Sequence, residues 1–326
     1  MYDYYYQPNE NSMIAERNKY RIKNLGFACG LAVIAFLVIN NVIVTAVSLF
    51  GWADIYNNNF IFKNSLNILL SVCSVFIPFL IIGLSKKSKK SVNLIPFSSP
   101  RKDRNPVLVI FTVFAFCLIA NFISAFIVSA ISSVGLQSHY YTQTVSTNCS
   151  VAESVITILR IAVIPALVEE FAVRGVLMQA LRKYGDMFAV FTSAFVFALM
   201  HGDFVQGIFA FVVGVGLGYA VVFTESIWTG IIIHFMNNLY SVLITIIESH
   251  NESFATVVYL LTNIVCIIFG IIFIAVLIVK HWHTKFYKPQ IFLSSGKKFK
   301  AFIVNAPMII AIILLFVNIG ISVVPR

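Results

Sequence analysis

Ala166-Leu167-Val168-Glu169-Glu170-Phe171-Ala172-Val173-Arg174-Gly175 sets two carboxylates and a guanidinium inside an otherwise apolar run. A charge at the centre of a bilayer costs about 2.5 kcal/mol or more, so such residues are rare there and are kept for function. The stretch sits within an apolar span over 153–181, and similar runs recur from Leu25 to the C-terminus. The chain is 59% hydrophobic and 11% charged, with a mean hydropathy of +0.90. That composition excludes an ordinary soluble domain. Runs of roughly 18 or more apolar residues predict membrane-spanning helices.

The fold expected is therefore an all-α, polytopic transmembrane helical bundle. The apolar runs fall at 25–50, 65–84, 107–134, 153–181, 187–201, 204–223, 226–247, 254–279 and 301–323, which makes about nine crossings. A polar, tyrosine-rich segment over 1–24 precedes them. Residues 25–135 form a first group of spans, 153–247 a second that holds the intramembrane polar residues, and 254–326 a third. The polar head and the length of the first apolar run predict no cleavable signal peptide, and Val324-Pro325-Arg326 carries no prenylation signal.

The net charge of +10 resides in the connections. Arg17, Lys19, Arg21 and Lys23 precede the first span, and Lys86, Lys87, Lys89, Lys90, Arg101, Lys102 and Arg104 follow the second. Arg182 and Lys183 follow the fourth, and Lys280, Lys285, Lys288, Lys297, Lys298 and Lys300 follow the eighth. The intervening loops, Gln137–Ser150 and Glu248–Ser253, are poor in basic residues. Basic loops stay cytoplasmic, so the N-terminus is placed inside and the C-terminus outside. The expected location is a cell membrane, of the bacterial cytoplasmic type, with the lipid bilayer as the first partner. No basic-aromatic motif points to nucleic acid.

Other features read as structure. Of the five cysteines, Cys29, Cys73, Cys117 and Cys266 lie in apolar runs and none forms a CxxC pair. Asn148-Cys149-Ser150 fits the short glycosylation pattern. Gly214 and Gly218 fit a small-xxx-small packing seam. Arg160 is placed to snorkel toward the surface, and Asp203 to cap the helix that follows it. The span over 187–201 is short, about 22 Å against a hydrocarbon core of about 30 Å. Its end at His201-Gly202-Asp203 must be buried in protein, line a wet cavity or meet a thinned bilayer.

Three patches carry chemistry. Glu170 and Arg174 are i and i+4 and can pair on one helix face, while Glu169 points about 100° away. Phe197-x-x-x-His201 ends the short span, and His234-x-x-x-Asn238 shares a face of another. Pro165 removes a backbone hydrogen bond one turn before Glu169. Counted from the basic ends, these residues fall at depths of about 14–22 Å, so Glu169, His201, His234 and Asn238 can share one layer. A carboxylate and a histidine holding one water can deliver hydroxide to an amide carbonyl. A second histidine and an asparagine can donate to the resulting oxyanion. Glu169, His201 and His234 are also a ligand set suited to zinc, with water in the open position. The His-Glu-x-x-His spacing is absent.

In this order and on separate spans, the trio resembles the CAAX prenyl endopeptidase and bacteriocin-processing family of intramembrane proteases (CPBP). Its motifs Glu-Glu-x-x-x-Arg, Phe-x-x-x-His and His-x-x-x-Asn are matched by Glu169-Glu170-x-x-x-Arg174, Phe197-x-x-x-His201 and His234-x-x-x-Asn238, over roughly residues 153–245. The resemblance implies an eight-helix-type core, a cavity open to the cytosol and hydrolysis of a peptide bond near that face. The substrate expected is a peptide or a protein C-terminal tail. It assigns water activation to Glu169 and His201, the oxyanion site to His234 and Asn238, and bracing to Glu170 and Arg174, which orient Glu169. Asn238 suits an oxyanion donor better than a zinc ligand, so no cofactor is favoured and a divalent metal such as zinc is the alternative. Two other classes compete. A proton-coupled transporter would use the same carboxylates and histidines, but no repeat symmetry is visible. A membrane adaptor or immunity-type protein would keep the fold without hydrolysis.

Overall fold

The computed structural model describes residues 10–84, 97–138, 150–289, 292–321 and 323–325. The head over 1–9, the cluster Lys86–Lys90, His139 and the Asn148-Cys149 part of the sequon lie outside the described residues.

The chain is a bundle of long helices, numbered here α1 Glu10–Leu49, α2 Ala53–Asn58, α3 Phe60–Leu84, α4 Pro106–Ser133, α5 Val151–Arg182, α6 Asp186–Met200, α7 Phe204–Thr224, α8 Ile227–His250, α9 Glu252–His281, α10 Ser295–Ile303 and α11 Ala306–Ile321. Their starts follow local rules. Pro106 occupies the first turn of α4, where no partner for its missing N–H is needed. Ser150 and Glu153 form a reciprocal capping box on α5. Asp203 caps α7 through the Gln206 N–H at 2.8 Å, as its position predicts.

Seven helices are long and apolar enough to cross a bilayer, or eight if α10 and α11 are counted as one broken span. Two of the nine expected crossings differ. The short one, α6, has 15 residues and ends inside the bundle. The last one, expected as a single run over 301–323, is broken by 84° between α10 and α11. Pro307 has no N–H to continue α10, and Asn305 begins the next helix by accepting from the Met308 N–H at 3.1 Å.

The two ends of the bundle differ in charge. At one end Arg101 donates its N–H to Thr224 O (3.1 Å) and pairs with Glu225 (3.1 Å). Arg104 reaches Thr284 (2.7 Å), Asp186 accepts from the Tyr287 N–H (2.9 Å) and Lys298 Nζ donates to Tyr184 O (2.8 Å). The Arg101 guanidinium holds the Asp103 carboxyl below the usual carboxylate range. Burial, and then the nearby Arg21 charge, hold Lys183 below the usual lysine value. These contacts bring the basic connections to one end. At the other end, Leu136–Ser138 after α4 (β1) pairs antiparallel with Val323–Pro325 after α11 (β2), with Gln137 opposite Val324. The last described residues therefore lie at the basic-poor end.

Close helix approach is set by small residues. A Cβ at Gly30 of α1 would overlap the Met308 and Pro307 backbone, and one at Gly26 would strike Phe302 O. Overpacking of this kind costs about 1–3 kcal/mol. Gly30→Ala is expected to lower the melting temperature of the detergent-solubilised protein, and Gly320→Ala, which meets nothing, to leave it unchanged.

Candidate active site

The site is assembled by α5, α6, α7 and α8. Helix α5 is not a uniform α-helix: it contains wide π-helical stretches at Leu159–Val163 and Phe171–Leu177. Between them, one short α-helical segment, Ile164–Glu170, carries both glutamates. Such π stretches free or redirect backbone carbonyls and are common at functional sites. Pro165 contributes here, because it cannot donate to Ile161 O as an α-helical residue four positions on would. That carbonyl accepts from Asn238 Nδ2 at 3.0 Å instead. The asparagine is thereby fixed by a defect in the opposing helix. Its Oδ1 accepts from Asn237 Nδ2 at 3.3 Å, and the amide keeps a second N–H for other use.

The two glutamates have different surroundings. Glu170 and Arg174 are both 0% exposed and lie 2.7 Å apart. The same oxygen, Glu170 Oε1, is 3.0 Å from His234 Nδ1. Arg174 donates through Nη2 to Gly214 O at 3.1 Å, and its guanidinium lies 4.5 Å from the centre of the Phe197 ring. One ion pair thus joins α5 to α7, α8 and the Phe197 side chain of α6. Glu169 is turned away, with its side chain 24% exposed and Oε2 4.0 Å from His234 Nε2.

His201 holds its ring by Nδ1, which donates to Phe197 O at 2.7 Å and leaves Nε2 unengaged by that bond. His234 is held likewise by Nδ1 on Glu170, so its Nε2 looks toward Glu169. Both histidines present the same type of nitrogen, set by the bond the other nitrogen makes.

Glu169, His201, His234 and Asn238 line one cavity of about 500 Å³, together with Asn67, Asn121, Arg160, Gln206, Asn237, Ser241, Thr245 and Glu248 among others. A smaller cavity of about 80 Å³ touches Glu169 and His201 again, between α1, α3, α5 and α6. The structure thus brings all four sequence-predicted catalytic residues to one space. It also changes three expectations. Glu170 braces His234 directly, rather than acting only on its own helix to orient Glu169. Arg160 lines the cavity instead of merely reaching for the surface. The cavity extends from Glu169 toward Arg160 and Glu248, at the basic-poor end, whereas the resemblance implies a cytosolic opening.

Gly230 gives no sequence signal of a role in the site, yet it makes room for Glu170. A Cβ there would come within 2.9 Å of Glu170 Oε2 and 2.7 Å of Val221 Cγ2. It lies one turn before His234, which in hindsight is the only cue. Gly214 has a similar role, since a Cβ would approach Arg174 Nη2 and Ala194 Cβ at 3.2 Å each. The small-residue seam is therefore a seat for the arginine as well as a packing face.

A metal would need ligand atoms about 2.0–2.2 Å from one centre. Among the described residues, no three His, Cys, Asp or Glu side chains are grouped to hold one. His234 Nδ1 and His201 Nδ1 are engaged by Glu170 and by the Phe197 carbonyl, and both Nε2 atoms stay open.

Residues 151–240 match the family model described as type II CAAX prenyl endopeptidase Rce1-like. No curated protein and no solved structure matches the chain. The matched stretch runs from the start of α5 into α8 and holds every residue of the three motifs. The chain is thus a multi-pass membrane protein in which residues 151–240 are similar to the Rce1-like family of proteases.

Removing one member of a buried pair strands the other, at a cost of about 3–5 kcal/mol. Arg174→Ala is expected to lose that stability and Glu169→Ala to lose little, as read by thermal unfolding in detergent. Gly230→Ala should fall between them.

Proposed function

We propose that the protein is an intramembrane endopeptidase that uses Glu169 as its base without a bound metal. The observation that carries this reading is the division between the glutamates. Glu170 is consumed by Arg174 and His234, while Glu169 faces a polar cavity beside two histidines and an asparagine.

In this reading a water sits between Glu169 and His201 Nε2. Glu169 takes its proton as the oxygen attacks the peptide carbonyl carbon, and a tetrahedral oxyanion forms. His234 Nε2–H and the second N–H of Asn238 donate to that oxyanion. The C–N bond then breaks, and Glu169 returns the proton to the leaving amine. The products are a new carboxyl and a new amino terminus. Fixing His234 on Glu170 and Asn238 on Ile161 O before substrate arrives avoids reorganisation during the reaction.

Glu169→Gln and His201→Ala are expected to abolish cleavage while the protein still inserts and folds. Asn238→Ala should lower kcat by about 10²–10³-fold with a smaller change in KM, the pattern of a lost oxyanion donor. A proteomic comparison of membranes carrying wild type and Glu169→Gln measures the first effect. Retained activity in Glu169→Gln would remove it as the base. Chelator treatment should leave turnover unchanged, and elemental analysis of active protein should find no stoichiometric zinc.

A further inference from the structure

We propose that the catalytic cavity is entered from the extracytoplasmic side and accepts a polar, unprenylated peptide segment there. This rests on the proteolytic reading for its chemistry, but the direction of access stands on separate observations.

The first is charge. Among the described residues, every lysine and arginine except Lys63, Arg160 and Arg174 belongs to the end pinned by Arg101, Asp186, Thr284 and Lys298. Such a bias sets orientation, with the basic end in the cytoplasm.

The second is the course of the cavity. On α8 its lining runs from His234 to Glu248, away from the basic end where α8 begins. Those 14 positions rise about 21 Å at 1.5 Å each. On α5 the lining runs from Glu169 back to Arg160, toward the helix start at Val151. On α3 it uses Asn67 and Ser71, in the half nearer Phe60. All three helices lead to the basic-poor end, and Glu248 at the far limit is exposed.

The third is the floor. On the cytoplasmic side the cavity is closed by the fully buried Glu170–Arg174 pair, with Met178 and Leu181 at 0% exposure behind it. Among the described residues, the lining of this cavity goes no further in that direction than His234 and Val213, and the small adjoining cavity ends at Val173.

The lining also limits the substrate. Asn67, Asn121, Arg160, Gln206, Ser241 and Glu248 supply amides, a hydroxyl and two charges. An isoprenoid chain laid against them would strip water from these groups and return no hydrogen bond, which is unfavourable for each. An extended peptide backbone offers donors and acceptors to match them. The segment expected is the outward-facing juxtamembrane part of a membrane protein, or a peptide delivered to that face.

The test uses the full-length protein in cells, with its five cysteines replaced and single cysteines introduced as Glu248→Cys at the mouth and Lys285→Cys at the opposite end. A membrane-impermeant thiol reagent should label Glu248→Cys in intact cells and Lys285→Cys only after permeabilisation. The reverse pattern overturns the proposal. In parallel, new termini that vanish in Glu169→Gln should map to outward-facing segments without a lipidated tail. Glu169-dependent termini in cytoplasmic or prenylated segments overturn the substrate assignment. Outward labelling with no Glu169-dependent termini upholds the direction of access and overturns the proteolytic reading.

Discussion

The site depends on one buried contact, the 2.7 Å pair of Glu170 and Arg174. Two charges deep in a bundle are tolerable only when each meets a partner and the leftover hydrogen-bonding groups are served. Here the arginine spends a second nitrogen on Gly214 O and rests on Phe197, while the carboxylate takes His234. The pair thereby touches the elements that carry all three motifs. Its cost is offset by the specificity it gives: a histidine that would otherwise rotate freely is held with one nitrogen inward. Phe197 has a double part, since its ring carries the guanidinium and its carbonyl holds His201.

Much of this was legible in the sequence because it concerns residue type at a fixed spacing. The i,i+4 relation of Glu170 and Arg174, the shared face of His234 and Asn238 and the unpaired position of Glu169 all follow from helical period. Asp203 is a cap in the structure for the reason its position gives. What was not legible involves groups that sequence patterns do not display. The Ile161 carbonyl that holds Asn238 becomes available through Pro165 and a local π stretch. The Gly214 carbonyl serves Arg174 from another helix. Gly230 matters through the side chain it lacks.

The break between α10 and α11 and the short α6 show a second limit. Hydropathy reports whether a run is apolar, and it averages over a single Asn305 or Pro307 that redirects the chain. It also cannot tell a crossing helix from one that ends inside protein. The direction of the cavity was hidden for a related reason. Depth along each helix can be counted from its sequence, but which way the space between helices opens depends on how they splay.

The two π stretches that flank Glu169 carry a consequence for how this chain tolerates change in length. A π stretch holds one residue more than the α-helix it interrupts. The extra residue is absorbed within each π stretch, so the helix on either side keeps its phase. The α-helical segment Ile164–Glu170 has no such outlet, and one residue added or lost there would turn the glutamates by about 100° relative to the start of α5. The Ile161 carbonyl and the glutamates would then no longer face the same space, with every side chain of the three motifs still present. The length of that segment is therefore as much a part of the site as the residues that occupy it.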